Sequence, residues 1–449
     1  MRSLKRMFSL GSSPAVLVGL ALASGALFKL SAFAREAFIA AKFGLSAVTD
    51  TYFGLQQLPL IVATFMLGAF ALAFTPAYAE ARRNSGTVEW LPGLLFYGCL
   101  IGSAMTALTL ASAPLLLRTI HSDGTRGAWS TLAILSLCYV PIIVIGIWAG
   151  ICTARGQNLW AMTVSGLPYL VMTLALFGLY AARRLSSLSL PVSMTIGFGV
   201  MGLCSLILTL WSQPNPASAG SVISVWKFPA FRRFLRQLAA SSLENGGFAA
   251  NQLLMLYFLS QIGTGVLSAN NCAMRIGMLG YSLLSPLAQL VQARLCAAEE
   301  NERAAGFRNA LITVAALVLA LASVLFVLRV PVIRLAYMHG KFQGAELELV
   351  ASLVPAWIGY FVIMSMNAIV ARYLFIRSQG SVYVRRQMYA YVAANLLRFA
   401  GVGLGGASWI IWCSVAAEAC ALTFNMHTCF AEVTERELIP ALTTTGEVL

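Results

Sequence analysis

Acidic residues are scarce in this sequence, and charged residues of every kind are few. Asp and Glu together number 16, and charged residues make up 10% of the 449 positions, whereas a soluble chain carries about 25%. Apolar residues make up 59% of the chain, and its mean hydropathy is +0.80. So little polar surface disfavours a cytosolic enzyme and indicates a protein that crosses a membrane several times.

Residues that build metal centres and catalytic sites are also sparse. The sequence has two aspartates, Asp50 and Asp123, and three histidines that lie far apart. Its nine cysteines form no Cys-x-x-Cys motif and mostly lie in apolar runs, where a thiol is usually a small buried hydrophobe. We therefore expect no metal site, no cofactor and no catalytic triad, and a protein that is not an enzyme.

The charge balance is strongly positive, with 30 Lys and Arg and a net charge of +14. Such an excess is typical of proteins that bind nucleic acid, anionic lipid or an anionic substrate inside the membrane. The basic residues occur singly or in pairs between apolar runs, which disfavours a nucleic-acid partner because no solvated basic face can form.

Apolar runs long enough to cross a bilayer recur along the whole chain. We predict an all-α polytopic membrane protein with about 12 transmembrane helices, arranged as two six-helix lobes around a central cavity. The predicted spans lie near 14–36, 50–79, 90–118, 129–153, 158–181, 188–211, 234–260, 266–293, 308–334, 349–376, 383–403 and 407–431.

A segment rich in Pro, Ser and basic residues separates the sixth predicted span from the seventh. It places the N-terminal lobe at 1–211, a cytoplasmic linker at 212–233 and the C-terminal lobe at 234–449. Transporters commonly hold their substrate where two such halves meet. Lys and Arg are more frequent in the connections predicted to lie inside, and positive loops stay cytoplasmic, so both termini are predicted to be cytoplasmic.

Ionisable residues inside the predicted spans are the natural candidates for function, because a charge at the bilayer centre costs about 2.5 to 3.5 kcal/mol on insertion scales. These residues are Lys29, Arg35, Glu36, Asp50, Glu244, Arg275 and Glu418. Amide side chains extend the polar stripes of the first, second, seventh and eighth spans, and we expect these helices to line the cavity. The amides are Gln56, Gln57, Asn245, Asn251, Gln252, Asn270 and Asn271.

Two interpretations of these charges stay open. Lysine and arginine donors suit phosphate oxygens, so the cavity is suited to a phosphate-bearing ligand. Alternatively, the charges are interhelical salt bridges, with Arg35 paired to Asp50 and Arg275 paired to Glu244. Glu418, alone in a late span, is either a snorkelling or amide-paired carboxylate or a coupling site for a cation or proton.

A series of short motifs in the first 80 residues follows a recognisable order. The motifs are Ala34-Arg35-Glu36, Phe43-Gly44, Thr49-Asp50, Leu58-Pro59, Gly68-Ala69-Phe70 and Phe74-Thr75-Pro76. In order and almost in spacing, this series resembles the opening of the MurJ/MviN family of lipid II flippases. The later segments 270–275 (NNCAMR) and 339–342 (HGKF) also resemble motifs of that family.

The resemblance implies the six-plus-six helix fold of the multidrug, oligosaccharidyl-lipid and polysaccharide exporter superfamily, in the bacterial inner membrane. It implies a flippase that moves an undecaprenyl-diphosphate-linked saccharide, lipid II-like and used in peptidoglycan biosynthesis, from the cytoplasmic to the periplasmic leaflet by alternating access. Its expected partners are that lipid, the membrane lipids and enzymes that build the cell envelope or polysaccharides.

The resemblance also assigns roles to particular residues. Arg35, Asp50 and Arg275 match family positions that line the cavity and are needed for transport, and Lys29 stands where the family usually has Arg. We expect Lys29, Arg35 and Arg275 to hold the diphosphate, with Glu36 and Asp50 orienting the arginines.

Two departures from the family pattern bear on the substrate. Ala63, Thr64 and Leu67 stand where the family usually has an Arg pair and a Glu, and family members usually carry two further C-terminal helices. The alternatives are a flippase for an exopolysaccharide or O-antigen repeat unit, and a drug/cation antiporter of the same superfamily. An antiporter is expected to have an acidic cavity, whereas this one is basic where it is charged.

Overall fold

The computed structural model describes residues 14–85, 88–120, 127–155, 157–212, 225–281, 291, 295, 299–377, 379–401 and 405–444. Within these ranges every regular element is a helix. In the part of the chain that the structure describes, seven helices are long and apolar enough to cross a membrane, or up to eight if one bent pair counts as a single span. The predicted all-α, multi-pass fold is thereby confirmed, while the number of spans and their division into two six-helix lobes stay predictions.

The helices follow one another with short connections. In chain order they are α1 (Pro14–Phe43), α2 (Ala47–Leu55), α3 (Gln57–Phe65), a π-helical turn (Met66–Phe70), α4 (Ala71–Ser85), α5 (Leu91–Ala111), α6 (Ala113–Thr119), α7 (Ala128–Ser136), α8 (Tyr139–Ala154), α9 (Asn158–Ala181), α10 (Ser189–Trp211), a 3₁₀ turn (Val225–Lys227), α11 (Pro229–Ser260), α12 (Val266–Gly277), α13 (Glu300–Tyr337), α14 (Gly344–Ile376), α15 (Gly380–Gly401) and α16 (Gly406–Thr444).

Contacts group the chain into two compact units that alternate along the sequence. The first unit comprises Met1–Ala32, Val62–Ala107 and Ser136–Leu238, and the second comprises Phe33–Ile61, Leu108–Leu135 and Ala239–Leu449. The lobes predicted at 1–211 and 234–449 are continuous stretches of sequence, and their boundaries stay a prediction. Residues 213–224 of the predicted linker lie outside the described residues.

The first unit is built on close packing of α8 against α4, α9 and α10. A Cβ atom at Gly197 of α10 would lie 2.2 Å from the Met172 side chain and 2.7 Å from the Pro168 carbonyl oxygen on α9, so glycine permits this approach of the two helices. Near the start of α11, Phe234 contacts Phe74 edge to face and stacks on Trp90, which adds aromatic packing to this unit.

The second unit is centred on α14, which packs against α12, α13 and α16. Its inward face is apolar, and Phe361 is fully buried. Phe307 of α13 stacks on Tyr373 of α14 with ring centroids 4.1 Å apart. Gly277 allows α12 to approach α14 closely, because a Cβ there would lie 2.4 Å from the Trp357 side chain.

The turn between α13 and α14 fixes the C-terminal end of α1. The Lys341 backbone N–H donates to the Ala41 carbonyl at 2.9 Å, and the Leu45 N–H donates to Glu346 Oε1 at 2.8 Å. Gly340 has a φ of +66°, and a Cβ there would lie 2.1 Å from the Ala41 oxygen, so only glycine fits. Two segments that resemble family motifs, 43–44 and 339–342, are therefore neighbours in the fold.

Candidate functional site

Three of the predicted site residues meet in one ion-pair cluster of the second unit. Arg35 and Glu36 lie on α1, and Arg275 lies in the last turn of α12. Arg35 Nη2 is 3.3 Å from Glu36 Oε1, and Arg275 Nε is 2.8 Å from the same oxygen and 2.9 Å from Oε2. One carboxylate thus serves two guanidinium groups.

The three members of this cluster differ in their access to solvent. The Arg35 and Glu36 side chains are 1% and 0% exposed, whereas that of Arg275 is 22% exposed. The cluster contains two guanidinium groups, whose donors suit an anionic ligand. Arg275 is the member that a ligand can reach, because its guanidinium group is only partly covered.

The surroundings of the cluster are apolar. Tyr337, at the end of α13, is fully buried and contacts Phe33 edge to face with centroids 5.6 Å apart. Cys272 lies one helical turn before Arg275 and is 1% exposed. Low polarity strengthens the attraction between the charges and raises the cost of leaving any of them uncompensated.

Asp50 performs a different task from the pairing with Arg35 considered above. Its Oδ1 accepts hydrogen bonds from the Ser268 backbone N–H at 2.8 Å and the Ser268 hydroxyl at 2.6 Å, and its Oδ2 accepts one from the Gly265 N–H. Gly265 is the N-cap of α12, with a φ of +90°. The carboxylate therefore caps the positive end of a helix dipole and anchors α12, which carries Arg275, to α2.

The predicted salt bridge between Arg35 and Asp50 is not formed. Arg35 pairs with Glu36, and Asp50 accepts hydrogen bonds from Gly265 and Ser268. The predicted pair between Arg275 and Glu244 stays a prediction, because the Glu244 side chain, on α11, lies outside the described residues. The same holds for the predicted role of Lys29, whose side chain, on α1, is also outside them. Arg275 forms its ion pair with Glu36.

Two predicted cavity amides are buried and lack partners among the described residues. Gln56, at the break between α2 and α3, is fully buried, and Asn271 is 2% exposed. Neither the oxygen nor the nitrogen of either amide has a hydrogen-bond partner in the described part of the chain. A buried amide without a partner costs about 1 to 3 kcal/mol, so both side chains are suited to a polar ligand or to water.

The other predicted lining residues have different surroundings. Asn270 accepts a hydrogen bond from Trp357 Nε1 at 3.0 Å, which makes it part of the packing between α12 and α14. Gln57, Asn245 and Gln252 are half-buried. Asn251 belongs to a second polar cluster, on α11, α15 and α16.

That second cluster contains the predicted ion-coupling residue Glu418 and one residue that the sequence analysis did not single out. Glu418 is 2% exposed, and its Oε2 accepts from the amides of Asn367, at 3.1 Å, and Gln387. These contacts are those of an amide-paired carboxylate, and a coupling role stays a prediction. Arg398 of α15 is fully buried beside Asn251; its position within an apolar run was the signal for it.

Buried charges and amides on packed membrane helices, within an all-α fold, are typical of polytopic membrane transporters. In the described part of the chain no group of three His, Cys, Asp or Glu side chains is placed to hold a metal ion. The family model of the lipid II flippase MurJ matches residues 39–406, and the chain belongs to that family. The matched range contains Asp50 and Arg275 and begins after Arg35 and Glu36.

Solved structures agree with this assignment at the level of fold. The lipid II flippase MurJ in an inward closed conformation is 17% identical, with a TM-score of 0.77 over 96% of this chain and 93% of that one. An inward-facing multidrug resistance MATE family transporter of the MOP superfamily is 14% identical, with a TM-score of 0.73 over 93% and 98% of the two chains. Among curated protein sequences, none matches this chain.

Proposed function

We propose that this protein is a flippase for an undecaprenyl-diphosphate-linked saccharide precursor of the lipid II type, which it moves from the cytoplasmic to the periplasmic leaflet by alternating access. The proposal is supported by membership of the MurJ family and, above all, by one observation of geometry. Two arginines share the single buried carboxylate of Glu36, and one of them, Arg275, is 22% exposed and can therefore be reached by an anionic ligand.

The diphosphate is the part of such a substrate that this ion-pair cluster fits. A guanidinium group forms parallel hydrogen bonds to phosphate oxygens as readily as to a carboxylate. When a diphosphate approaches Arg275, it competes with Glu36 for the same donors. Arg275 can turn toward the ligand while Arg35 stays paired with Glu36. By resemblance to the family pattern, Lys29 is proposed as a further cation for the diphosphate. The exchange gives the cluster a ligand-free and a ligand-bound state, as alternating access requires.

The saccharide needs hydrogen-bonding groups rather than charge. Gln56 and Asn271 supply amide donors and acceptors that the described residues leave unused. Asp50 holds α12 in place through Gly265 and Ser268, so it positions Arg275 and Asn271. In this proposal Asp50 is a positioning residue, and the lipid tail stays in the bilayer while the head group crosses.

The remaining features of the proposal follow from the family and the charge pattern. The protein lies in the bacterial inner membrane with both termini in the cytoplasm, and it performs no covalent chemistry. Its partners are the lipid-linked substrate, the membrane lipids and the enzymes that make or consume that substrate.

A second candidate is a flippase for an exopolysaccharide or O-antigen repeat unit linked to the same lipid. It is favoured by the neutral residues Ala63, Thr64 and Leu67 at positions where the family usually has an Arg pair and a Glu. The drug/cation antiporter alternative is favoured by the structural similarity to MATE transporters, although the basic ion-pair cluster does not suit a cationic drug.

The test is complementation of cells depleted of their lipid II flippase, with expression of each variant checked in the membrane. Wild type is expected to restore growth, Arg275→Ala to fail, and Arg275→Lys to restore growth in part. Arg184, an exposed residue after α9, provides the matched control, and Arg184→Ala is expected to behave as wild type. Failure of well-expressed wild type, together with rescue of a strain lacking a polysaccharide flippase, would select the second candidate.

A further inference from the structure

A fully buried arginine lies in the second unit, outside the ion-pair cluster. Arg398 is in the last turn of α15 and has no exposed surface. A buried guanidinium is costly unless its donors are all satisfied. Acceptor groups of the protein therefore take the place of water around the Arg398 guanidinium group.

Every acceptor around Arg398 is a neutral oxygen. Nη1 donates to Asn251 Oδ1 at 2.8 Å, to Asn395 Oδ1 at 2.6 Å and to the Asn251 backbone carbonyl at 3.3 Å. Nε donates to the Ile410 carbonyl at 3.2 Å, and Nη2 donates to the Ser414 hydroxyl. Two carbonyls, two amide oxygens and one hydroxyl from α11, α15 and α16 thus surround the guanidinium group.

The orientation of these oxygens is fixed by further hydrogen bonds. Asn395 Nδ2 donates to the Tyr391 carbonyl at 2.8 Å and to Asn251 Oδ1 at 3.3 Å, which turns its oxygen toward Arg398. Carbonyl and amide oxygens held in this way are the ligands with which membrane proteins bind hard monovalent cations. The arrangement around Arg398 is thus a cation site whose cation is covalently attached.

A buried acidic residue, Glu418, lies one helical turn from Ser414, which is one of these ligands. Ser414 and Glu418 are four residues apart on α16 and therefore on the same face of that helix. Gln387 and Asn367 donate to the Glu418 carboxylate.

We propose that Arg398 is the resident cation of this cluster and occupies the oxygen cage in which Na⁺ or K⁺ would otherwise bind. The second unit then carries a positive charge beside Glu418 without a bound metal ion, and Glu418 is its counter-charge. The inference rests on the contacts of Arg398 and the position of Glu418, so its outcome is independent of the substrate proposed above.

The first test uses the wild-type protein. Its melting temperature in detergent is measured in NaCl, KCl and choline chloride at equal ionic strength, together with binding of radioactive Na⁺. A resident cation predicts the same melting temperature in all three salts and no saturable Na⁺ binding. Saturable Na⁺ binding, or stabilisation by Na⁺ and not by choline, would overturn the proposal.

The second test empties the cage. Arg398→Ala is expected to lower the melting temperature by about 5 °C or more, because it leaves the buried oxygens around this position without their donor. Methylguanidinium or Na⁺, at equal low-millimolar concentration, is expected to restore part of that loss, whereas choline is not. Arg385→Ala, at an exposed position of the same helix, is the matched control. A stable variant that no small cation rescues would contradict the inference.

If Arg398→Ala does not accumulate, Arg398→Met with Glu418→Gln removes both charges at nearly constant volume. The double variant is expected to be more stable than the sum of the two single losses predicts, because each single change leaves one buried charge alone. Additive losses would show that Glu418 is not the counter-charge of Arg398.

Discussion

The second unit holds two buried charge clusters that are built on different principles. At the first, Arg35 and Arg275 touch the carboxylate of Glu36 directly. At the second, Arg398 donates to neutral amide, carbonyl and hydroxyl oxygens, and Glu418 accepts from two amides. The first has one partly exposed arginine, whereas both charged members of the second are almost fully buried.

The arginines of the first cluster can exchange their carboxylate partner for a ligand, whereas the charge of Arg398 in the second cluster is fixed in place. A direct ion pair with one accessible member can trade its carboxylate for an anionic ligand, because both partners offer the guanidinium group the same type of hydrogen bond. A cation held by five oxygens from three helices cannot leave without disrupting their packing. We therefore expect the first cluster to take part in transport and the second to set the stability of α11, α15 and α16.

The largest expected effect comes from removing the shared carboxylate. Glu36→Gln removes the carboxylate that two guanidinium groups share, and breaking a buried pair costs about 3 to 5 kcal/mol. The measurement is the melting temperature of the purified protein in detergent. Glu80, whose exposed pair with Arg233 has an oxygen–nitrogen distance of 2.7 Å, is the matched control, and Glu80→Gln is expected to change stability by less than about 1 kcal/mol. Equal losses of stability for Glu36→Gln and Glu80→Gln would show that the buried cluster contributes no more to stability than the exposed pair.

The next effect separates binding from folding at Arg275. Because its side chain is 22% exposed, Arg275→Ala is expected to cost less stability than Glu36→Gln. It removes a charged hydrogen bond worth about 1.5 to 3 kcal/mol from the ligand, which corresponds to roughly a 10- to 100-fold loss of affinity. Affinity is measured with an undecaprenyl diphosphate added to the purified protein. A variant that binds this lipid as tightly as wild type would remove Arg275 from the site.

A smaller effect is expected at Asp50, which links the first cluster to the fold. Asp50→Asn removes the negative charge from the N-terminus of α12 while keeping one acceptor oxygen. A charge at a helix terminus is worth about 0.3 to 1 kcal/mol when exposed and up to about 2 kcal/mol when partly buried. The melting temperature is expected to fall accordingly, and Ser268→Ala, which removes one donor to Asp50 and no charge, to lower it less. A larger loss for Ser268→Ala would show that the hydroxyl, not the helix dipole, secures the contact.

Sequence patterns were sufficient for the class of fold and for the membership of the first cluster. Apolar run length predicts membrane helices, and the cost of a buried charge marks Arg35, Glu36 and Arg275 as unusual. The partners could not be predicted, because pairing depends on how α1, α2 and α12 pack across more than 200 residues of sequence. Asp50 illustrates this, since its ligands are the backbone N–H groups of a distant helix.

The second cluster shows the complementary difficulty. Arg398 lies near the end of a predicted span, where an arginine can equally belong to a connection and face water. Only the tertiary fold shows that Asn251 and Ser414, from two other helices, surround it. A sequence with Asn395 one turn before an arginine in an apolar run does indicate a solvated cation, but it does not identify the remaining ligands.

The smallest expected effects on stability concern the two buried amides without partners among the described residues, Gln56 and Asn271. Asn271→Leu and Gln56→Leu remove buried polar groups that have no partner among the described residues, so each is expected to leave stability unchanged or raise it by up to about 1 kcal/mol. If the amides hold the saccharide, the same variants weaken binding of the lipid-linked saccharide but not of undecaprenyl diphosphate alone. Asn270→Leu is the matched control, because it breaks the hydrogen bond to Trp357. It is expected to lower stability without changing the ratio of the affinity for the lipid-linked saccharide to the affinity for undecaprenyl diphosphate. Equal losses for both ligands in Asn271→Leu would place the amide beside the diphosphate instead.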